Sequence, residues 1–110
     1  MDSALPLAEL TQADLDEDTL QALLRDWLES THVLEVTVKG GATRRAQSAP
    51  QALPELVEQL QRGELRGIQV RYRWNGAEWL DTLLRVDSVV RIVRARLPVR
   101  GLQARLDEAQ

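Results

Sequence analysis

The first strong pattern in the chain is a helical repeat of apolar residues between positions 20 and 28. Leucine and tryptophan recur three and four residues apart, as on one face of a helix, at Leu20, Leu23, Leu24, Trp27 and Leu28. Thr11 and Asp14, three residues apart, resemble the capping box that opens a helix, and acidic residues crowd the next turn. We therefore predict an amphipathic helix of about 15 residues, preceded by a flexible arm over residues 1–10.

Residues 31–39 change to the alternation of a β-strand. Its two predicted faces hold Leu34, Val36 and Val38 on one side and Val33, Glu35, Thr37 and Lys39 on the other. Gly40-Gly41 marks a turn, after which residues 42–47 predict a short returning edge strand that exposes Arg44 and Arg45.

Residues 48–63 predict a second helix. Its apolar stripe consists of Leu53, Leu56, Val57 and Leu60. Pro54 has no amide hydrogen, so we expect the regular helix to begin around it. Gly63 stands where a left-handed residue would end the helix.

Residues 67–97 carry the clearest strand pattern, in which apolar and aromatic residues alternate with arginine and other polar residues. Asn75-Gly76 is a strong signal for a two-residue hairpin turn, because both turn residues must adopt a positive φ. Asp87-Ser88 indicates a second turn, and Pro98 ends the pattern. We expect a three-stranded antiparallel meander.

Two-residue turns determine which residues of the meander face each other. The first turn pairs Trp74 with Ala77, Arg73 with Glu78, Tyr72 with Trp79, Arg71 with Leu80 and Val70 with Asp81; the second pairs Asp81 with Arg94, Trp79 with Arg96 and Leu83 with Ile92. One face then carries Ile68, Val70, Tyr72, Trp74, Trp79, Asp81, Leu83, Ile92, Arg94 and Arg96. The opposite face carries Gln69, Arg71, Arg73, Glu78, Leu80, Thr82, Leu84, Val86, Arg91 and Val93. Both faces are partly apolar, so we expect the helices to cover one and the tail, a second copy or another partner to cover part of the other.

Together these elements predict an α+β fold in one domain, residues 11–98. The expected order is α-β-(β)-α-β-β-β, with a single mixed or antiparallel sheet and both helices on one face. Residues 99–110 form a polar tail, in which Leu102 and Leu106 favour a short helix.

Composition agrees with one soluble domain and excludes several classes of protein. The 110 residues are 44% hydrophobic and 28% charged, which suits a single core. The absence of cysteine excludes a disulfide scaffold and thiolate chemistry. No apolar run approaches the ~20 residues of a membrane span, and the start of the chain lacks the pattern of a secretory signal. We expect a cytoplasmic protein with no membrane partner.

The charge is small in total but divided between the halves of the chain. Residues 1–61 hold eleven acidic and four basic residues, a net of −7, whereas residues 62–105 hold four acidic and ten basic ones, a net of +6. Either the acidic half packs on the basic half, within or between subunits, or the basic half faces a polyanion.

Residue types that usually carry catalysis or bind metals are scarce. His32 is the only histidine, so no site with several histidine ligands can form in one chain. Asp14, Asp16 and Asp18 imitate the start of a calcium loop, but Thr19 stands where that loop needs glycine. We expect no catalytic residue, no metal and no cofactor.

Six residues of the meander form a candidate interaction patch that mixes aromatic rings and charges: Tyr72, Trp74, Trp79, Asp81, Arg94 and Arg96. On the first interpretation the patch is purely structural: Asp81 and Arg94 form an ion pair that fixes strand register, and Arg96 lies over Trp79 in a cation–π contact. In functional terms, the aromatic residues anchor a partner and the arginines orient it.

Three hypotheses of function follow. The first is a non-catalytic protein–protein interaction domain, homodimeric through its sheet. The second is binding of RNA or single-stranded DNA through an arginine-rich surface formed by Arg44, Arg45, Arg71, Arg73 and Arg91. The third is a small-molecule or accessory enzyme site in a pocket between helix and sheet, centred on Asp81.

Overall fold

The computed structural model of the chain describes residues 10–40 and 50–98, which form an α+β fold with an antiparallel sheet. Its elements are β1 (Leu10–Leu15), α1 (Glu17–Ser30), β2 (His32–Lys39), α2 (Leu53–Gln61), β3 (Gly67–Trp74), β4 (Ala77–Val86) and β5 (Val89–Arg96). A 3-10 turn at Pro50–Ala52 leads into α2. The predicted fold class is confirmed. Residues 1–9 of the predicted arm, the return strand at 42–47 and the tail at 99–110 lie outside the described residues.

The order of the strands across the sheet explains where α1 lies. The five strands that the structure describes are arranged β1-β5-β4-β3-β2, so β1 and β2 are the edges of this part of the sheet. Since α1 joins these edges, it must cross the sheet. Its 14 residues span about 21 Å, close to the ~19 Å that separates the edges of a five-stranded sheet. The central strand β4 therefore lies beneath the helix.

The N-terminal edge strand is a correction to the sequence prediction. Residues 10–15, which we expected to be partly arm and partly helix cap, instead pair with β5, with Ala13 opposite Ile92 and Leu15 opposite Val90. Ala13 and Leu15 pack against the core. A strand of six residues is too short for its alternation to be distinctive, and its pairing partner lies some 80 residues away in the sequence (Leu10 opposite Ala95).

Helix α1 begins five residues later than the capping pattern at Thr11 predicted. Asp16 is its N-cap, and the Asp16 carboxylate accepts a hydrogen bond of 2.8 Å from the Thr19 amide. The predicted stripe is buried at Leu20, Leu23, Leu24 and Trp27, whereas Leu28 is 43% exposed. The prediction for Leu28 was wrong, because at about 100° per residue Leu28 lies at the margin of the buried stripe.

Helix α2 ends as its sequence predicts. Gly63 has φ +82°, and the amides of Gly63 and Glu64 donate to the carbonyls of Leu60 and Gln59, at 3.1 and 2.9 Å. This is the Schellman arrangement, which needs a left-handed residue. At the other end, Pro54 occupies the first turn of the helix. The stripe is buried at Leu53, Val57 and Leu60, with Leu56 partly buried against it.

The meander has the predicted register throughout. Asn75 and Gly76 adopt φ of +55° and +81°, and every predicted pair of the first hairpin is observed. The second turn pairs Asp81 with Arg94, Trp79 with Arg96 and Leu83 with Ile92, also as predicted.

The two faces of β2 differ from the prediction near its start. The pairing of β2 with β3 shifts between Val33 and Glu35, as a β-bulge does when it inserts an extra residue. Val33 therefore packs against the core, on the side that the simple alternation had assigned to Leu34.

Candidate functional site

A charged cluster lies inside the core, between α1 and the sheet. The Asp81 carboxylate accepts two hydrogen bonds of 2.8 Å from Nε and Nη2 of Arg94. It also accepts one of 2.9 Å from the indole Nε1 of Trp27. Asp81 is fully buried and Arg94 is 7% exposed. We call Trp27, Asp81 and Arg94 the ionic cluster. The Asp81–Arg94 pair confirms the structural interpretation drawn from the register.

The surroundings of the ionic cluster favour the charged form of Arg94 and the neutral form of Tyr72. Burial alone would lower the pKa of the Arg94 guanidinium, but the hydrogen bonds and charge of Asp81 outweigh burial and raise that pKa. Burial, reinforced by the charge of Asp81, raises the pKa of the Tyr72 hydroxyl well above its ordinary value. Arg94 also lies 6.0 Å from the centre of the Tyr72 ring. The arrangement holds a neutral phenol beside a bidentate ion pair.

Most of the predicted interaction patch is inside the molecule. Tyr72 and Trp79 are each 3% exposed and belong to the core, as Asp81 and Arg94 do. Trp74 is partly buried and Arg96 is exposed. Arg96 lies 5.8 Å from the centre of the Trp79 ring, in the predicted cation–π contact. Tyr72, Trp79, Asp81 and Arg94 are therefore occupied in the fold, and only Trp74 and Arg96 offer substantial surface.

Trp79 differs from Trp27 in one respect. Its indole Nε1 is the one buried side-chain nitrogen or oxygen without a hydrogen-bond partner in the part of the chain that the structure describes. The two buried tryptophans therefore have different roles, since Trp27 fills space and also donates to Asp81.

A pocket of about 240 Å³ opens beside the ionic cluster, at the carboxyl end of α1. Its lining includes Asp26, Trp27 and Ser30 from α1, Tyr72 and Trp74 from β3, and Arg94 from β5. We call it the end pocket. Asp81 lies behind this lining, so the pocket adjoins the predicted centre without exposing it. Sequence reasoning missed Asp26, Trp27 and Ser30, because nothing in the sequence shows that α1 reaches strands more than 40 residues away.

The other face of the sheet is not covered by either helix, and we call it the open face. Its middle is uncharged and consists of Leu80, Thr82, Leu84, Gln69, Val93 and Ala95, all of which are partly buried. Charged residues surround this middle in ion pairs. Arg71 contacts Glu35 and Glu78 at 3.3 and 3.1 Å, while Arg91 contacts Asp14 at 2.8 Å.

The arginines proposed for nucleic-acid contact are divided between two situations. Arg71, Arg73 and Arg91 lie on the open face, where each has a carboxylate partner, Arg73 reaching Glu78 at 3.4 Å. Arg44 and Arg45 lie outside the described residues. The Glu35–Arg71 and Asp14–Arg91 pairs also join the acidic half of the chain to the basic half, as one interpretation of the charge pattern predicted.

Across residues 10–40 and 50–98, no group of three or more metal-ligating side chains comes together. His32 is exposed at the start of β2. Neither described helix has the length and apolar character needed to cross a membrane. When the chain is compared with models of protein families, with curated proteins and with solved structures, it matches none of them.

Proposed function

We propose that this protein is a non-catalytic interaction domain that associates with a second copy of itself through the open face. The observation that carries the proposal is that both helices pack on one side of the sheet, leaving a face with an uncharged, largely apolar middle that no described helix covers. A sheet face with this pattern needs a cover that the rest of the described chain does not supply.

The open face has the size of an interface. Five strands about eight residues long form a face of roughly 600 Å², given the usual strand spacing and rise. Stable protein interfaces bury about 800 Å² of accessible surface from each partner, and the accessible area of a side-chain layer exceeds its flat projection. Most of the open face would therefore be buried in such an association.

The distribution of charge on the open face favours a second copy as its partner. A symmetric dimer brings the same surface together from both sides, so a face with a large net charge would repel itself. Here the arginines are matched by Glu35, Glu78 and Asp14. An apolar middle inside a polar border is also the usual composition of a protein interface.

The same pairing weighs against nucleic acid as the partner. A nucleic-acid surface gains its affinity from cations that neutralise phosphates, and the described arginines of the open face already have carboxylate partners.

The buried Asp81, whose two oxygens both accept hydrogen bonds, supports a role without acid–base catalysis. We propose the cytoplasm as the compartment, where a chain without cysteines loses nothing from the lack of disulfides.

The proposal is tested by measuring mass in solution by light scattering, in low and in high salt. We expect a dimer of the 12.4 kDa chain at both salt concentrations, because burial of apolar surface depends little on ionic screening. Leu80→Glu should give a folded monomer, because it places a charge in the middle of the open face.

Leu28→Glu is the matched control. Leu28 is a leucine with 43% of its surface accessible, but it lies on α1, away from the open face, so this variant should remain a dimer. A wild-type monomer at all concentrations, or equal loss of the dimer in both variants, would contradict the proposal. A species that forms only with added RNA and dissociates in salt would favour the nucleic-acid hypothesis instead.

A further inference from the structure

The two helices differ in how their carboxyl ends are compensated. The Arg85 side chain reaches the end of α2 and donates to the carbonyls of Leu60 and Gln61. The last five residues of α1 include Asp26 and Glu29 and no basic residue. Because the carboxyl end of a helix carries a partial negative charge, α1 ends in a negative field without the cation that α2 receives.

The end pocket opens at this negative end of α1, and three of its eight lining residues are aromatic. Trp27, Tyr72 and Trp74 line it together with the exposed carboxylate of Asp26. Aromatic rings attract cations through the negative potential of their faces, and a nearby carboxylate adds a direct partner. A volume of about 240 Å³ admits one small group rather than a large ligand.

Arg94 also lines the end pocket, but it does not make the pocket positive. Its charge is matched by the bidentate bond to Asp81, and its side chain is only 8% exposed. Burial opposes the charge of Arg94, but Asp81, Tyr72 and Asp26 together raise its pKa. One guanidinium therefore lies in the field of two carboxylates, and the formal charges of Asp26, Asp81 and Arg94 sum to −1.

We propose that the end pocket binds an organic cation of the guanidinium or alkylammonium class, held by Asp26 and the ring of Trp74. The end pocket lies on the helix side of the sheet, so this site is independent of association through the open face and is available in monomer and dimer alike.

Three matched probes test the charge preference: the blocked amino acids N-acetyl-arginine amide, N-acetyl-citrulline amide and N-acetyl-glutamate amide. Citrulline has the shape of arginine without its charge. Binding is followed by NMR on the indole N–H signals of the 110-residue chain. We expect the arginine probe to bind about tenfold more tightly than citrulline and to shift the signals of Trp27 and Trp74 more than that of Trp79. Equal affinity for all three, or preference for glutamate, would overturn the proposal.

Asp26→Asn and Glu29→Gln form a matched pair of variants. Each removes one negative charge from the exposed carboxyl end of α1, but only Asp26 lines the end pocket. We expect Asp26→Asn to weaken the arginine probe about threefold to fivefold, and Glu29→Gln to change it less than twofold. Neither should lower stability to urea. Equal weakening by both variants would show that the probe responds to the general negative potential at the end of α1 and not to a specific binding site, and would refute the proposal.

The cation has two sources, a free small molecule or an arginine or lysine side chain of another protein. Propylguanidinium and a blocked Ala-Arg-Ala tripeptide distinguish them. Tighter binding of the tripeptide identifies a protein side chain as the source, because flanking backbone adds contacts at the mouth. Equal or weaker binding of the tripeptide identifies a small molecule, and failure of both cations to bind would exclude the site.

Discussion

At the scale of single residues, Asp81 and Arg94 form an ion pair in the core, where both charges are buried away from water. Each makes the burial of the other tolerable, and Trp27 supplies the third hydrogen bond to Asp81. A buried pair of this kind contributes little net stability, but removing one member leaves an uncompensated charge in the core.

Single replacement of either charge should therefore be costly. We expect Asp81→Leu or Arg94→Met to lower the free energy of unfolding by about 3–5 kcal/mol. The double variant should cost clearly less than the sum of the single ones, since no lone charge remains. Urea denaturation of the four proteins measures the coupling. Additive losses would show that the pair does not act as a unit.

The two buried tryptophans provide a second comparison with a built-in control. Trp27→Phe removes the donor to Asp81 and should cost about 1.5–3 kcal/mol, as for a hydrogen bond to a charged group. Trp79→Phe removes an indole N–H that has no partner among the described residues, so it should cost at least about 1 kcal/mol less. Thermal and urea unfolding of both variants measure the difference. A larger loss for Trp79→Phe would be the opposite of this expectation.

At the scale of elements, local chemistry predicted the helices and hairpins well but missed the edge strand. The meander was predictable because Asn75-Gly76 and the alternation around it act within a few residues of each other. Strand β1 was not, because its six residues become a strand only by pairing with β5. The bulge in β2 has the same origin, since it depends on the register imposed by β3.

The ion pair between Asp14 of β1 and Arg91 of β5 should make the stability of the protein depend on pH in the acid range. The hydrogen bond from Arg91 lowers the pKa of Asp14 below its ordinary value. A carboxylate with a lowered pKa contributes stability above its ordinary pKa, and that contribution is lost as pH falls through the lowered value. Between about pH 5 and about pH 2, the wild type should therefore lose more stability than Asp14→Asn.

Urea denaturation across this range measures both slopes. Arg91→Gln should flatten the slope in the same way, because it removes the other half of the pair. Parallel slopes for the wild type and both variants would show that the pair does not contribute to holding β1 in place.

At the scale of the whole molecule, one topological fact separates the two proposed surfaces. Because α1 joins the two edge strands, it must cross one side of the sheet, so the ionic cluster and the end pocket lie on that side while the other face stays uncovered. Self-association and cation binding are thus two independent properties, and failure of either test leaves the other standing.

The amino-acid sequence was enough to predict the fold class, both helices, the two hairpin turns and the pairing of Asp81 with Arg94. Each of these follows from spacing or turn chemistry that acts over a few residues, or from register carried outward from a turn. It also contained all six residues of the predicted patch, but not whether they face solvent or core.

Whether each residue of the patch faces solvent or core follows from the packing of the folded chain. A strand pattern shows which residues share a face but not which face a helix will cover, and here both faces are partly apolar. Packing of α1 across the sheet buried Tyr72, Trp79, Asp81 and Arg94 and brought Asp26 and Trp27 beside β3 and β5. The hydrogen bond from Trp27 to Asp81 joins residues 54 positions apart, and no periodicity in the sequence indicates a contact over such a distance.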